Sequence, residues 1–330
     1  MNSLRANILK VFNILLRPLR LLLVKKKELD VLTRERNVLI TLMHIFSGPC
    51  DRSSRVPVEC VVFSMDRALQ LHALLASYEE NVRHSAPMHV LYRTTTEAHR
   101  KAYEEVFALF QNRLVLTLYR QTPDRPFKDQ VLGILATLSS DKVFFLTDDD
   151  LFIRSVDLLD FTSFETRTTV ASLRMGDHLK RCYPVQKSQR LPEFIPCDCS
   201  AADKLCWIWA SGEHDWNYPL SVNGHLFSAK EMLVLAENTE FHSPNTFEAN
   251  IQMFSKFYTH RLGVCYKSSK ILNVPINKVQ SDNDNVHGSV HQDFLLDQWN
   301  RGLQMDYRAL YGLVNESAHQ EVPVTFIERR

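Results

Sequence analysis

Three aspartates in a row, Asp148, Asp149 and Asp150, directly follow the apolar run "KVFFLT". Ionised side by side they repel one another, so a counter-charge or solvent must compensate. Hard divalent cations such as Mg²⁺ or Mn²⁺ take oxygen ligands and favour one or two carboxylates plus substrate phosphates. A cation held this way bridges a diphosphate and carries the charge that develops as the diphosphate leaves. Alternate residues of an extended segment face the same way, so Asp148 and Asp150 are expected to share a face and Asp149 to point away. The alternatives are a solvated strand end or aspartates that cap a helix.

The elements around the triplet decide how much it means. "VPVECVVFSM", "MHVLYRT", "RLVLTLY" and "KVFFLT" read as strands. "RALQLHALLASYEENV", "EAHRKAYEEVFALFQ" and "KDQVLGILATLSS" read as the helices between them. Alternation of this kind predicts a mostly parallel α/β sheet flanked by helices. Ligands of such sheets bind outside the carboxyl ends of the strands. Three polar clusters fall at those ends: Ser64-Met65-Asp66-Arg67, Arg93 to Thr96, and the aspartates. With nine glycines and no GxGxxG or GxxxxGK[ST], the chain has no glycine-rich phosphate cradle.

Beyond the triplet the periodicity changes. "TVASLRMG", "SVNGHLF" and "VCYKSSKILNVP" read as strands, and "AKEMLVLAEN" and "TFEANIQMFSKFY" as helices. Trp207, Trp209 and Trp216 fall within ten residues and are expected either as a sugar-stacking platform or as core. The seven cysteines are odd in number and mostly far apart, which fits a reducing compartment. Cys197, Cys199 and Cys206 read as a loop of reduced thiols more than as a zinc site, because the spacing is not CxxC.

The first 27 residues carry seven basic and no acidic residues, leaving the remainder at −6 out of a net +1. The near-neutral total argues against a nucleic-acid binder. From Ile8 to Val24 apolar residues recur at helical spacing, interrupted by Lys10, Arg17, Pro18 and Arg20. That is too charged for a membrane span and fits a basic amphipathic helix in an anionic interface. The alternatives are packing on the protein's own core or a coiled-coil homodimer, with Leu22, Leu29, Leu32 and Leu39 as its seam. Residues 1–50 are therefore read as a helical N-terminal extension and 56–320 as the catalytic domain.

"KDQVLGILATLSSDKVFFLTDDD" resembles the approach to the DxD motif of GT-A fold, nucleotide-sugar-dependent glycosyltransferases. "FSMDRALQLHALL", "VLYRTT", "DWNYPLSVNGHLF" and "PNTFEANI" resemble a bacterial group of glycosyltransferases, over about two thirds of the chain. The resemblance implies a GT-A fold, a nucleotide-diphosphate sugar donor and Mn²⁺ or Mg²⁺. One position departs from it: Asn223 stands where an acidic residue is implied. Ser64, Asp66 and Arg67 would hold the nucleoside, and Arg93 the base or a phosphate. Asp148 would face ribose or metal, and Asp150 would be the main metal ligand, with His287 or His291 completing the shell. Arg174 and Lys180 would neutralise the diphosphate, and Lys128 could reach a phosphate. Inverting transfer needs a general base near the acceptor hydroxyl. Glu248 fits by resemblance, although Asn245 and Glu248 also have the spacing of a capping box. Asp215 is the second candidate.

These readings predict a divalent-metal-dependent, inverting glycosyltransferase acting on a glycan or lipid-linked acceptor at the cytoplasmic membrane face. Two other functions share parts of the pattern. A sugar nucleotidyltransferase uses the same phosphate logic but has a glycine-rich basic loop after its first strand, which "SMDRALQ" lacks. A non-catalytic membrane-surface scaffold would keep the fold alone.

Overall fold

A computed structural model of the chain describes residues 26–48, 56–196, 203–277 and 291–329. The expected membrane-binding stretch Ile8–Val24, as well as Cys197, Cys199 and His287, lies outside the described residues. The chain divides into two units, 1–48 and 49–330. In the first, helix α1 spans Lys26–Ser47 and exposes Leu29, Leu32 and Leu39 of the expected seam. Among the described residues no helix is long and apolar enough to cross a membrane.

The second unit is built as the alternation predicts. Strand β1 (Glu59–Met65), helix α2 (Ala68–Asn81), β2 (Met88–Arg93) and α3 (Glu97–Phe110) follow one another. Next come β3 (Leu116–Arg120), α4 (Phe127–Thr137) and β4 (Lys142–Thr147). β1 is central, running parallel to β2 and to β4, and β3 extends the sheet beyond β2. Strand β8 (Leu226–Ser228) closes the other edge antiparallel to β4. Register then does the functional work: Met65 pairs with Arg93 and Phe63 with Thr147. The carboxyl ends of β1, β2 and β4 therefore finish level.

The core lies on both sides of β1. Val62, Val90 and Leu146 meet Leu71, Leu74 and Leu75 of α2, and Val106 and Phe110 of α3 join them. Every residue of α2 from Ala68 to Tyr78 is buried, so only its last turn, Glu79 to Asn81, reaches solvent.

Three further strands form a separate sheet: β7 (Lys204–Ile208), β9 (Leu262–Tyr266) and β6 (Thr169–Ser172), with β9 in the middle. Strand β5 (Asp150–Phe152) pairs antiparallel with β10 (Ile271–Asn273), setting Asn273 opposite Asp150. Helix α5 (Ala229–Glu237) follows β8, α6 (Pro244–Ile251) comes next, and α7 (Gln292–Asn300) lies late in the chain.

Several expected boundaries move. "SVNGHLF" is strand only from Leu226, because Val222 to Gly224 form a turn with Gly224 at φ +69°. "VCYKSSKILNVP" breaks into β9 and β10. The helix expected from Thr246 begins at Pro244, whose ring pre-sets helical φ, and passes into a 3₁₀ turn at Gln252. The tryptophans are core and not a platform. Trp207, Trp209 and Trp216 are fully buried, with ring centroids 4.7 and 4.9 Å apart around Trp207. Cys206 is disulfide-bonded, which corrects the expectation of reduced thiols there.

Candidate active site

A cavity of about 730 Å³ opens at the level carboxyl ends of β1, β2 and β4. One wall carries Ser64, Arg67, Arg93, Asp148 and Asp149. The facing wall carries Arg174, Asp215, Tyr218, Glu248 and His319.

On the first wall Asp148 is the hub. Its Oδ2 accepts from the Ser64 hydroxyl at 2.8 Å and the Met65 amide at 3.2 Å. Its Oδ1 accepts from Arg67 Nη1 at 2.9 Å. The same Nη1 lies 3.2 Å from Asp149 Oδ2, and Arg67 Nη2 donates to the Asn277 carbonyl. Burial pushes the Asp148 carboxyl up to about 6 against the pull of Arg67, with Asp149 adding to the rise.

The triplet is split differently from expectation. Asp148 and Asp149 form the turn between β4 and β5, so strand alternation does not run through them. Asp149 lines the cavity, while Asp150, the expected main metal ligand, is fully buried and does not line it. Its oxygens accept from the Thr147 amide at 2.8 Å, from Asn223 Nδ2 at 2.9 and 3.1 Å, and from Asn273 Nδ2 at 3.0 Å. Burial, then the neighbouring Asp149 charge, pushes Asp150 up to about 7.

These residues do not fit a divalent ion in this arrangement. All six carboxylate oxygens of the triplet accept hydrogen bonds from protein donors, Asp149 Oδ1 from Asn273 Nδ2 at 2.9 Å. A guanidinium nitrogen already lies between Asp148 and Asp149. Among the described residues, no three His, Cys, Asp or Glu side chains converge as a metal ion requires.

Other expected ligands fall elsewhere. Asp66 has φ +52° and is buried; it accepts from the Thr95 amide and hydroxyl at 2.8 and 2.6 Å. It ties the loop after β1 to the loop after β2 and does not face the cavity. Lys180 is exposed and away from the cavity lining. Lys128 pairs with Glu240 at 3.0 Å. His291 is exposed and caps α7, accepting from the Asp293 amide.

The facing wall is one connected network. Arg174 pairs with Asp215, and its Nη1 donates to the Ser221 hydroxyl at 2.8 Å. Ser221 donates onward to Glu248 Oε2 at 3.2 Å, and the Val222 amide donates to the same oxygen at 2.7 Å. Glu248 has no capping duty. Ser243 is the N-cap of α6, and its box is closed by Thr246, not by Asn245 and Glu248. Burial raises the Glu248 pKa above the ordinary carboxylate value, against the pull of the Val222 amide. His319 also lines the cavity; burial, then the nearby Arg174 charge, lowers its pKa to about 4.

The sequence reading does not reach Asn273, Asn277, Tyr218, Ser221 or His319. Register supplies two of them: Asn273 pairs across from Asp150, and His319 bridges to Asn273. Asn273 after "KIL" and Asn277 after "VPI" carry no local signal of a site. Asn223 was legible only as a departure from the resemblance, and it donates to the buried Asp150.

The class that fold and site together define is an α/β protein with a mostly parallel sheet flanked by helices and a charged cavity at the strand ends. The mostly parallel sheet flanked by helices is the fold class expected from the sequence. No family model and no curated protein sequence matches the chain. Among solved structures it is similar to S. aureus TarS, at 14% identity and TM-score 0.39, over 73% of this chain and 38% of that one. It is similar to the bifunctional glycosyltransferase WbbM, at 13% and 0.35, over 69% and 40%. It is also similar to 4-diphosphocytidyl-2C-methyl-D-erythritol synthase from Anaerococcus prevotii, at 10% and 0.37, over 74% and 96%. The chain thus spans about two fifths of the length of TarS.

Proposed function

We propose that the chain is a glycosyltransferase that moves a sugar from a nucleotide-diphosphate donor to an acceptor hydroxyl with inversion. The observation that carries this reading is the two-walled cavity. A charged wall at the ends of β1, β2 and β4 faces a carboxylate, Glu248, that is held in place and has a raised pKa. Ser64 and Arg93 line the cavity and would meet the nucleoside, and exposed Arg93 is the cation offered to a diphosphate, Arg67 and Arg174 being paired with aspartates.

In the proposed reaction Glu248 takes the proton of the acceptor hydroxyl. The acceptor oxygen then forms its bond to the anomeric carbon from one face. The bond from that carbon to the diphosphate oxygen breaks on the other, and the nucleoside diphosphate leaves with the electron pair. A base with a pKa raised toward the working pH suits this transfer. Ser221 and the Val222 amide fix its orientation. Arg174, joined to Glu248 through Ser221, keeps Asp215 paired, which makes Asp215 the less available base.

The basic first 27 residues support an acceptor presented at an anionic membrane surface, a glycan or a lipid-linked one. Product analysis after incubation with nucleotide sugars tests the reading. Release of nucleoside diphosphate is expected; release of pyrophosphate would make the protein a nucleotidyltransferase instead.

A further inference from the structure

We infer that Arg67 is the built-in counter-ion of the acidic turn, filling the place between Asp148 and Asp149 that a divalent ion would otherwise take. The inference deepens the donor-site reading and rests on it only for what binds in the cavity.

The pair is enclosed. The side chains of Arg67, Asp148 and Asp149 are 11%, 4% and 14% exposed. Nη1 lies 2.9 Å from an oxygen of Asp148 and 3.2 Å from an oxygen of Asp149. A magnesium ion would sit about 2.1 Å from its oxygens, so an ion shared by these two atoms would overlap Nη1. The guanidinium has no freedom to step aside cheaply. Arg67 immediately precedes the wholly buried face of α2, and its other arm is bound to the Asn277 carbonyl. The remaining oxygens of both aspartates are held by Ser64, the Met65 amide and Asn273.

A guanidinium cannot lose its proton in a protein and does not dissociate. Its charge is therefore present at every metal concentration. A nucleoside diphosphate is then expected to bind equally well with chelator or with Mn²⁺. Without the guanidinium, two enclosed carboxylates face each other, the arrangement that recruits a hard cation.

The test is a Mn²⁺ titration of the full chain, followed by electron paramagnetic resonance without nucleotide. Wild type is expected to take up no stoichiometric Mn²⁺. Arg67→Gln is expected to bind one ion, with affinity higher by about tenfold or more, and adding Asp149→Asn should remove that gain. Stoichiometric Mn²⁺ on the wild type, lost in Asp149→Asn, would overturn the inference. So would a well-folded Arg67→Gln that gains no affinity. If Arg67→Gln does not fold, the wild-type titration alone decides. Thermal shifts by uridine and guanosine diphosphate, each with EDTA and with Mn²⁺, supply the second readout. A shift that needs Mn²⁺ overturns the inference, and equal shifts support it. No shift in either condition sinks the donor-site reading, and the resonance titration then decides for Arg67 by itself.

Discussion

The Glu248 carboxylate accepts two hydrogen bonds through Oε2 and is raised in pKa by burial. A general base works only when ionised, so turnover should climb with pH through that raised value and level off above it. Glu248→Gln keeps the shape and an acceptor oxygen for the Val222 amide. It should lower kcat by about 10²–10⁴ while leaving the unfolding transition in place. Steady-state kinetics across pH, beside a urea melt, checks both halves. Near-wild-type turnover would remove Glu248 from the mechanism. Asn223 poses the opposite question. Its amide donates to both oxygens of buried Asp150, where the resemblance implies an acid. At pH 8, above the Asp150 titration, Asn223→Asp sets a second charge against the first with no partner, and should cost roughly 3–5 kcal/mol in urea unfolding. If Asn223→Asp is as stable as wild type, a proton or a cation is shared between the two carboxylates.

Elements place these side chains, and close backbone approach is one way they do it. Gly263 on β9 lies against the Trp207 indole; a Cβ there would meet ring carbons at 2.3 Å. Gly263→Ala should therefore push β9 off β7 and cost about 1–3 kcal/mol, read by denaturant unfolding and by Trp fluorescence. The sheet itself was legible because its strands are compact, mostly apolar runs separated by helix-length stretches. The three polar strand ends followed from that alternation. What was not legible depended on the chain leaving a regular period. The extended alternation assumed through Asp148–Asp150 fails because the first two residues form a turn, which exchanges the roles of Asp149 and Asp150. The start of α6 was misplaced because Ser243-Pro244 is an earlier start signal than Asn245. Asn273 reaches the site through pairing between β5 and β10, a contact across more than a hundred residues that no local pattern encodes.

Across the whole molecule, buried titratable groups pull stability in opposite directions with pH. His72, His225 and His319 are held neutral, chiefly by burial, at about 4, 3 and 4. Their folded values lie below the unfolded one, so their contribution is present above about 6.5 and is lost as pH falls toward 4. Asp148 and Asp150 do the reverse. Their folded values, about 6 and about 7, lie above the ordinary 3.8. The folded protein therefore keeps these protons to higher pH than the unfolded chain, and stability falls as pH rises through that window. Because the windows overlap, the wild-type profile between pH 4 and 7 mixes both signs, and a variant must separate them. Asp150→Asn removes one titration and adds a pH-independent offset from its altered hydrogen bonds. The stability of Asp150→Asn relative to wild type should therefore rise with pH from about 4 and level off above about 7. The total change should be on the order of 4 kcal/mol. Urea unfolding of both proteins at pH 5 and pH 8 spans the upper part of that window and should show about 2.6 kcal/mol of the change. A constant gap would mean that Asp150 is ionised throughout, with a compensating charge beside it that the Asn223 and Asn273 amides do not supply.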